Sequence, residues 1–381
     1  MIGQNPDDWR KYFPIVNELA FFNHAGVGPL SGPAAQALRD YAKHAETRSY
    51  VEADWYRRVN DLKRSAAKLI NADGPHEIAV VQNTSAGIAT IAKGFNWRRG
   101  DNVVITDVEF PANRYPWEDL KRFDVQVIEV RQNADGRIDA DEVADAVTDR
   151  TRVVAISHVQ YASGHRIDLK PISKMVHMAG GYLFVDAIQS LGAMPVDVEA
   201  MGIDFLAADG HKWMLSPEGC GILYVNEDLI ELLHPNVVGW LNVVDAMNWG
   251  DYKFEFEKDC RRFEPGSYNI PGVLALGASL EMLLDIGIDT IWQRIEALTT
   301  RLCEGLEQKG YRVASPRGAD ERSGIVIFDP PEDRDELDPA RIVADLEEKG
   351  IIIVLREGRL RASPHFYNTE EQIDRLLEAL P

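Results

Sequence analysis

The sequence predicts an α/β protein in which a mainly parallel, doubly wound sheet is followed by a smaller α+β domain. Three observations carry the prediction. Between residues 79 and 225 short, unbroken apolar runs recur, as expected of strands buried on both faces. Each run is followed by a segment of helical character, and that alternation is the pattern of βαβ units. After about Asp251 the alternation stops, and a polar stretch leads into two long helices and a few later strands. We therefore expect a large domain over residues 16–255 and a small one built from 1–15 and 256–381. A chain of 381 residues is long for one core, and length alone suggests two or three domains.

The first helix is expected after Pro29-Leu30-Ser31, with Ser31 as N-cap and Pro33 in the first turn. A second spans about 53–70 and stops at Asn71-Ala72-Asp73-Gly74. Strands follow at 79–81, 102–106, 125–130, 153–157, 183–186, 205–208 and 221–225. Ligands in such sheets sit beyond the carboxyl ends of the strands, so polar residues just after these runs come first under suspicion. Further on, helices are expected at 271–284 and 289–309, strands at 325–328, 351–354 and 359–362, and a last helix from near Thr369. Residues 329–339, rich in Pro, Asp and Glu, read as a loop.

Hydrophobic residues make up 45% of the chain and charged residues 27%, the balance of an ordinary globular protein. Acidic residues number 61 against 41 basic ones, a formal charge of −20. A field of that sign repels phosphate backbones and anionic lipid, so neither nucleic acid nor membrane is expected as a partner. An anionic substrate would need a local cluster of arginines. The three cysteines, Cys220, Cys260 and Cys303, have neither zinc-pair nor disulfide-framework spacing, and His158, His165 and His177 lack metal-ligand spacing. No metal is expected. The start of the chain carries no secretory pattern, and no stretch approaches the ~20 apolar residues that span a bilayer. The expected location is cytoplasmic.

Two strand ends carry the chemistry. Phe184-Val185-Asp186 closes an apolar run on a carboxylate. Alone, Asp186 reads best as a helix N-cap. The run 205–208, however, ends in Asp209-Gly210-His211-Lys212-Trp213, which puts a lysine beside a histidine after a glycine turn. Pyridoxal phosphate needs such a pair: a lysine amine to hold it as an imine, and a carboxylate to keep its ring nitrogen protonated. Cations near that lysine depress its pKa, so that it can move protons near neutrality. The phosphate needs donors. Gln82-Asn83-Thr84-Ser85-Ala86-Gly87 opens a helix after a strand, and its free N–H groups and hydroxyls suit a dianion. A cap without a ligand explains that segment equally well. His211 is a further candidate donor.

From Phe21-Phe22-Asn23-His24-Ala25-Gly26 to Tyr367-Asn368-Thr369 the chain resembles the class V aminotransferases of the type I pyridoxal-phosphate fold. That group includes cysteine desulfurases, kynureninases and isopenicillin N epimerases. The most specific stretch is FVDAIQSLGAMPVDVEAMGIDFLAADGHKWMLSPEGCGILYV. The resemblance implies that Lys212 is the Schiff-base lysine, Asp186 the partner of the ring nitrogen and Gln189 a contact to the ring hydroxyl. It places Thr84, Ser85 and His211 on the phosphate, and Phe110 on the ring face. Gly266-Ser267 matches a loop that reaches the phosphate of the other subunit, which implies a homodimer with shared sites. Arg361 matches the arginine that clamps the substrate carboxylate, and Arg356 is its assistant. An α-amino acid substrate follows.

The chain also departs from its relatives. Cysteine desulfurases usually stack a histidine where Phe110 stands, and phenylalanine moves no protons. They also carry a nucleophilic cysteine shortly before the clamping arginine, whereas Leu355-Arg356-Glu357-Gly358-Arg359 runs into Leu360-Arg361 without one. Asp209 stands where many relatives have Ser or Thr on the phosphate, and is expected to point away or pair with a cation. Tyr161 reads equally as a site residue and as a packed aromatic. Transamination or amino-acid lyase chemistry is the leading expectation, epimerisation the second. Cysteine desulfuration is disfavoured, and a non-catalytic scaffold comes last.

Overall fold

The computed structural model describes residues 6–334 and 336–381. Part of the expected small domain, residues 1–5, and Asp335 in the 329–339 loop lie outside the described residues.

Seven strands form the main sheet: β1 (Ile78–Val81), β2 (Asn102–Thr106), β3 (Gln126–Val130), β4 (Thr151–Ser157), β5 (Tyr182–Asp186), β6 (Phe205–Asp209) and β7 (Gly221–Val225). Their order is β1-β7-β6-β5-β4-β2-β3. Pairs from β3 to β6 are parallel, as expected. β7 runs antiparallel to both β6 and β1. The reason lies in the link: residues 210–220 hold no helix, and a short connection can only return a strand antiparallel to the last. Successive residues of these strands face opposite layers. Val104, Val154, Val185 and Leu206 join one core, whereas Val103, Val153, Phe184 and Phe205 join another. Burial on both faces explains why the inner runs read as apolar segments, while β3, at the sheet edge, exposes Gln126 and Glu129.

Helix α1 (Gly32–Arg48) starts where the sequence indicates, with the Ser31 hydroxyl accepting from Ala34 N at 3.2 Å. Helix α2 (Trp55–Ile70) follows, and α3 (Thr84–Gly94) opens right after β1, capped by Asn83. Helices α4 (Ile270–Ile286) and α5 (Ile288–Gln308) match the two long helices expected, and α4 packs on α1 and α2. Among the described residues no single helix is long and apolar enough to cross a membrane.

A second, antiparallel sheet contains β8 (Arg312–Val313), β9 (Val326–Asp329), β10 (Val354–Arg356) and β11 (Arg359–Ala362), in the order β10-β11-β9-β8. The strand expected over 351–354 is divided. Ile351–Ile352 pairs in parallel with Ala20–Phe21, and β10 joins the sheet. Helices α6 (Pro339–Glu348) and α7 (Glu370–Ala379) cover this sheet, with Ile342, Leu346, Ile373 and Leu376 in its core.

Candidate active site

The carboxyl ends of β4, β5 and β6 open on a cavity of about 320 Å³. Nine of the ten residues singled out from the sequence line it, and Ser267 does not. The tight link after β6 places the first of them. Gly28 N donates to His211 O at 2.8 Å, and a side chain on Gly28 would come within 2.4 Å of Lys212 O. Gly192, at φ +97°, meets the Trp213 carbonyl in the same way. Fully buried Trp213 anchors the turn: its Nε1 donates to Gln189 Oε1 at 3.0 Å, and its carbonyl accepts from His365 Nε2 at 3.0 Å. Lys212 is thus presented on a rigid turn whose backbone cannot retreat. Among the described residues its Nζ has no hydrogen-bond partner, and it lies 5.7 Å from the centre of the Phe110 ring.

Asp186 ends β5 and is 2% exposed. One oxygen accepts the Ile188 N–H at 3.0 Å, and among the described residues its side chain has no other hydrogen bond. Burial pushes this carboxyl up, Glu109 adds to the push, and Lys212 opposes it. Burial pulls the Lys212 amine down; Asp186 resists, while Arg361 and Arg356 add to the lowering. The two side chains therefore share one cavity and each feels the other's charge.

At one end of the cavity, Thr84 and Ser85 form the first turn of α3, where free N–H groups and the helix dipole favour an anion. Thr84 Oγ1 accepts from Asp209 N at 3.0 Å, leaving its proton free to be donated. Asp209 turns one oxygen onto Gly210 N at 2.7 Å and sets the other 2.9 Å from His211 Nδ1, at an angle that makes no hydrogen bond. Gln189 spends its carbonyl on Trp213 and one N–H on Ala25 O at 3.0 Å, so its second N–H remains available to a ligand.

At the opposite end sits Arg361, 1% exposed. Its partners are neutral: Nη1 donates to Tyr161 O and Nη2 to Asn23 Oδ1, each at 3.2 Å, and Nε has no partner. Burial, and then Arg356, pull its pKa down to about 9. Tyr161 meets Phe110 edge-on at 5.2 Å, and its hydroxyl donates to Glu357. Burial and that bond push the phenol up to about 12. Tyr161 therefore lines the cavity as well as packing against Phe110. Ser267 lines a separate cleft with Tyr56 and Tyr268.

Three further residues that the residue patterns did not single out brace this cavity from outside its lining. Asn23 supports Arg361, and Glu357 holds Tyr161. Glu109 is buried and accepts from Thr106, Asn113, Ser157 and Gln160, tying the ends of β2 and β4 together. Its position directly before Phe110 was the one available signal.

The profile of the aminotransferase class-V family matches residues 34–376. The chain belongs to that family. A probable cysteine desulfurase of Methanothermobacter thermautotrophicus is 32% identical over 100% of this chain and 98% of its own length. The apo cysteine desulfurase of Thermococcus onnurineus superposes with a TM-score of 0.88 at 26% identity, covering 99% of this chain and 98% of the other. The cystine C–S lyase C-DES, solved with its product cysteine persulfide, gives 0.84 at 25% identity, covering 96% and 98%. Another structure of C-DES carries glycine covalently linked to its pyridoxal phosphate cofactor.

The cavity of this member of the class-V aminotransferase family fits that cofactor on its own geometry. It offers a lysine amine without a hydrogen-bond partner and a buried carboxylate without an ion-pair contact among the described residues, and an open helix N-terminus. It also offers a phenylalanine ring left 41% exposed at the cavity wall. Each is costly or idle alone and becomes favourable with an aromatic, cationic, phosphorylated ligand.

Proposed function

We propose that this pyridoxal-phosphate-dependent enzyme acts on an α-amino acid by lyase or transaminase chemistry in which no enzyme cysteine carries a product group. One observation supports the reading above the others: Lys212 and the anion-free Arg361 line one cavity that no thiol enters. Cys220 and Cys260 are buried in the large sheet's cores and Cys303 packs under the small sheet. Burial pushes all three thiols away from the reactive thiolate, Cys220 to about 12.

Lys212, Asp186, Thr84, Ser85, His211, Gln189 and Phe110 would hold the cofactor, as amine, ring-nitrogen partner, phosphate donors, hydroxyl contact and stacking face. When bound, pyridoxal phosphate supplies an aldehyde for the substrate amine and a ring that takes up the electron pair left at Cα. The protein's part is positioning and proton movement. Arg361, fixed by Tyr161 and Asn23, receives the α-carboxylate and so sets which Cα bond faces the ring. Lys212 Nζ, held partly neutral by burial and nearby arginines, takes and returns the Cα proton. We also propose a homodimer in which Ser267, outside its own chain's cavity, serves the partner's phosphate.

Arg361→Ala should weaken binding of amino-acid carboxylates by roughly 1.5–3 kcal/mol, the range for a charge-assisted hydrogen bond. Titrating the bound cofactor's absorbance with several amino acids measures it, and unchanged apparent affinity would place the clamp elsewhere. A second check follows the sulfur. After turnover with cysteine or cystine, the intact mass of the protein should show no added sulfur, with sulfide or a free persulfide in solution if these are substrates. Sulfur found on any of the three cysteines would restore the desulfurase relay. A screen of amino acids, with keto acid, ammonia and sulfide as readouts, tests the whole reading.

A further inference from the structure

The β10–β11 hairpin carries three arginines on one face. In its register Val354 lies opposite Arg361 and Arg356 opposite Arg359. Side chains alternate along a strand, so Arg356, Arg359 and Arg361 point the same way. Their electrostatic situations differ. Arg359 donates to both oxygens of Asp329, at 2.9 and 2.6 Å. Arg361 has only neutral partners, and its buried Nε has none. Arg356 has no hydrogen bond or ion pair among the described residues, and its Nε is likewise buried without a partner. The neighbouring carboxylate, Glu357, is taken up by the Tyr161 hydroxyl. Both unpaired guanidiniums line the cavity that holds Lys212, and each repels Lys212 and depresses its pKa.

Two like charges kept side by side in a partly buried pocket are unfavourable until anions arrive. One substrate carboxylate brings one negative charge, and Arg361, the more deeply buried, takes it. Arg356 is then left facing the cavity with no counter-charge. Arg356 and Arg361 are diagonal neighbours across the hairpin, a spacing of about 7–8 Å between their positions. That separation suits two acid groups joined by a short chain better than two oxygens of one carboxylate.

We infer that Arg356 forms a second anion subsite and that the substrates are α-amino acids with an acidic group at the end of the side chain. This rests on the amino-acid reading of the cavity proposed above and names its substrate class. A carboxylate or sulfinate fits Arg356 equally, since both present paired oxygens to a guanidinium.

The test uses the holoenzyme and near-isosteric pairs: L-aspartate against L-asparagine, and L-glutamate against L-glutamine, each titrated against the absorbance of the bound cofactor. The acidic member should bind about 10-fold or more tightly in each pair. Arg356→Met, which keeps an apolar stem, should bring the ratio close to one. Arg361→Met should weaken both members together. If neutral amino acids bind as well as acidic ones, or if Arg356→Met weakens both members equally, Arg356 serves the α-carboxylate and the inference falls alone. If no amino acid perturbs the cofactor, the amino-acid reading falls and takes the subsite with it. Cysteine sulfinate added to the series separates sulfinate from carboxylate preference.

Discussion

Lys212→Ala is expected to abolish covalent attachment of the cofactor and to reduce turnover by at least about 10²–10⁴-fold, the loss typical of a general acid–base group. The fold should survive the change. The Lys212 backbone does the structural work: its carbonyl accepts from Leu215 N at 3.2 Å, and the adjoining His211 carbonyl accepts from Gly28 N at 2.8 Å. The side chain holds no partner whose loss would leave a buried group unsatisfied. Removing the buried amine lifts its burial cost and its repulsion by two arginines, and gives up its attraction to Asp186 and Asp209, so these effects oppose one another. The variant should therefore melt close to the parent while losing function. Borohydride treatment followed by denaturation reads the covalent link: cofactor should stay on the parent and leave the variant. A variant that turns over normally would end the assignment of Lys212.

Much of this was legible because its causes are local. A strand buried on both faces must be apolar throughout, and the inner strands of the main sheet fall on such runs, whereas edge strand β3 carries exposed Gln126 and Glu129. Asp186 and Lys212 stood out because each is a polar break at the end of one. What stayed hidden depends on contacts between distant segments. β7 runs antiparallel because the 210–220 link is too short for a crossover, a length the sequence shows but an alternating pattern obscures. The run 351–354 looks like one strand, yet Ile351–Ile352 is drawn to Ala20–Phe21, over 300 positions away in the chain, and only β10 enters the sheet. Glu109 looks like any acid before a Phe-Pro pair. It becomes a hub only when Thr106, Ser157 and Gln160 converge on it, and no periodicity announces that. Arg356, Arg359 and Arg361 are indistinguishable as letters. The difference between them is Asp329, which reaches one and not the others.

Asp186→Asn should separate stability from function at a single atom. The amide keeps an oxygen for the Ile188 N–H, now at 3.0 Å, and nearly the same volume, but cannot carry charge. Without its cofactor the parent protein holds a carboxylate in a dry site near Glu109, which raises its pKa above the ordinary 3.8. The sign follows directly. A raised pKa in the folded state means that stability present at acid pH is lost as pH climbs from 3.8 toward neutrality. The amide variant lacks that loss, so its apo form should be no less stable than the parent at neutral pH, and the two should converge in acid. With cofactor the order reverses. In the proposed site the parent would gain a buried pair between the Asp186 carboxylate and the protonated ring nitrogen, and the variant would leave that nitrogen without its counter-charge. Breaking a buried pair costs about 3–5 kcal/mol, which corresponds to a fall of roughly 10²–10³-fold or more in turnover. Thermal melts of apo protein across pH, together with turnover of the loaded enzyme, check both halves. Full turnover in the Asp186→Asn variant would show that this carboxylate does not face the ring. A large loss of apo stability at neutral pH would show that the carboxylate is a structural support after all.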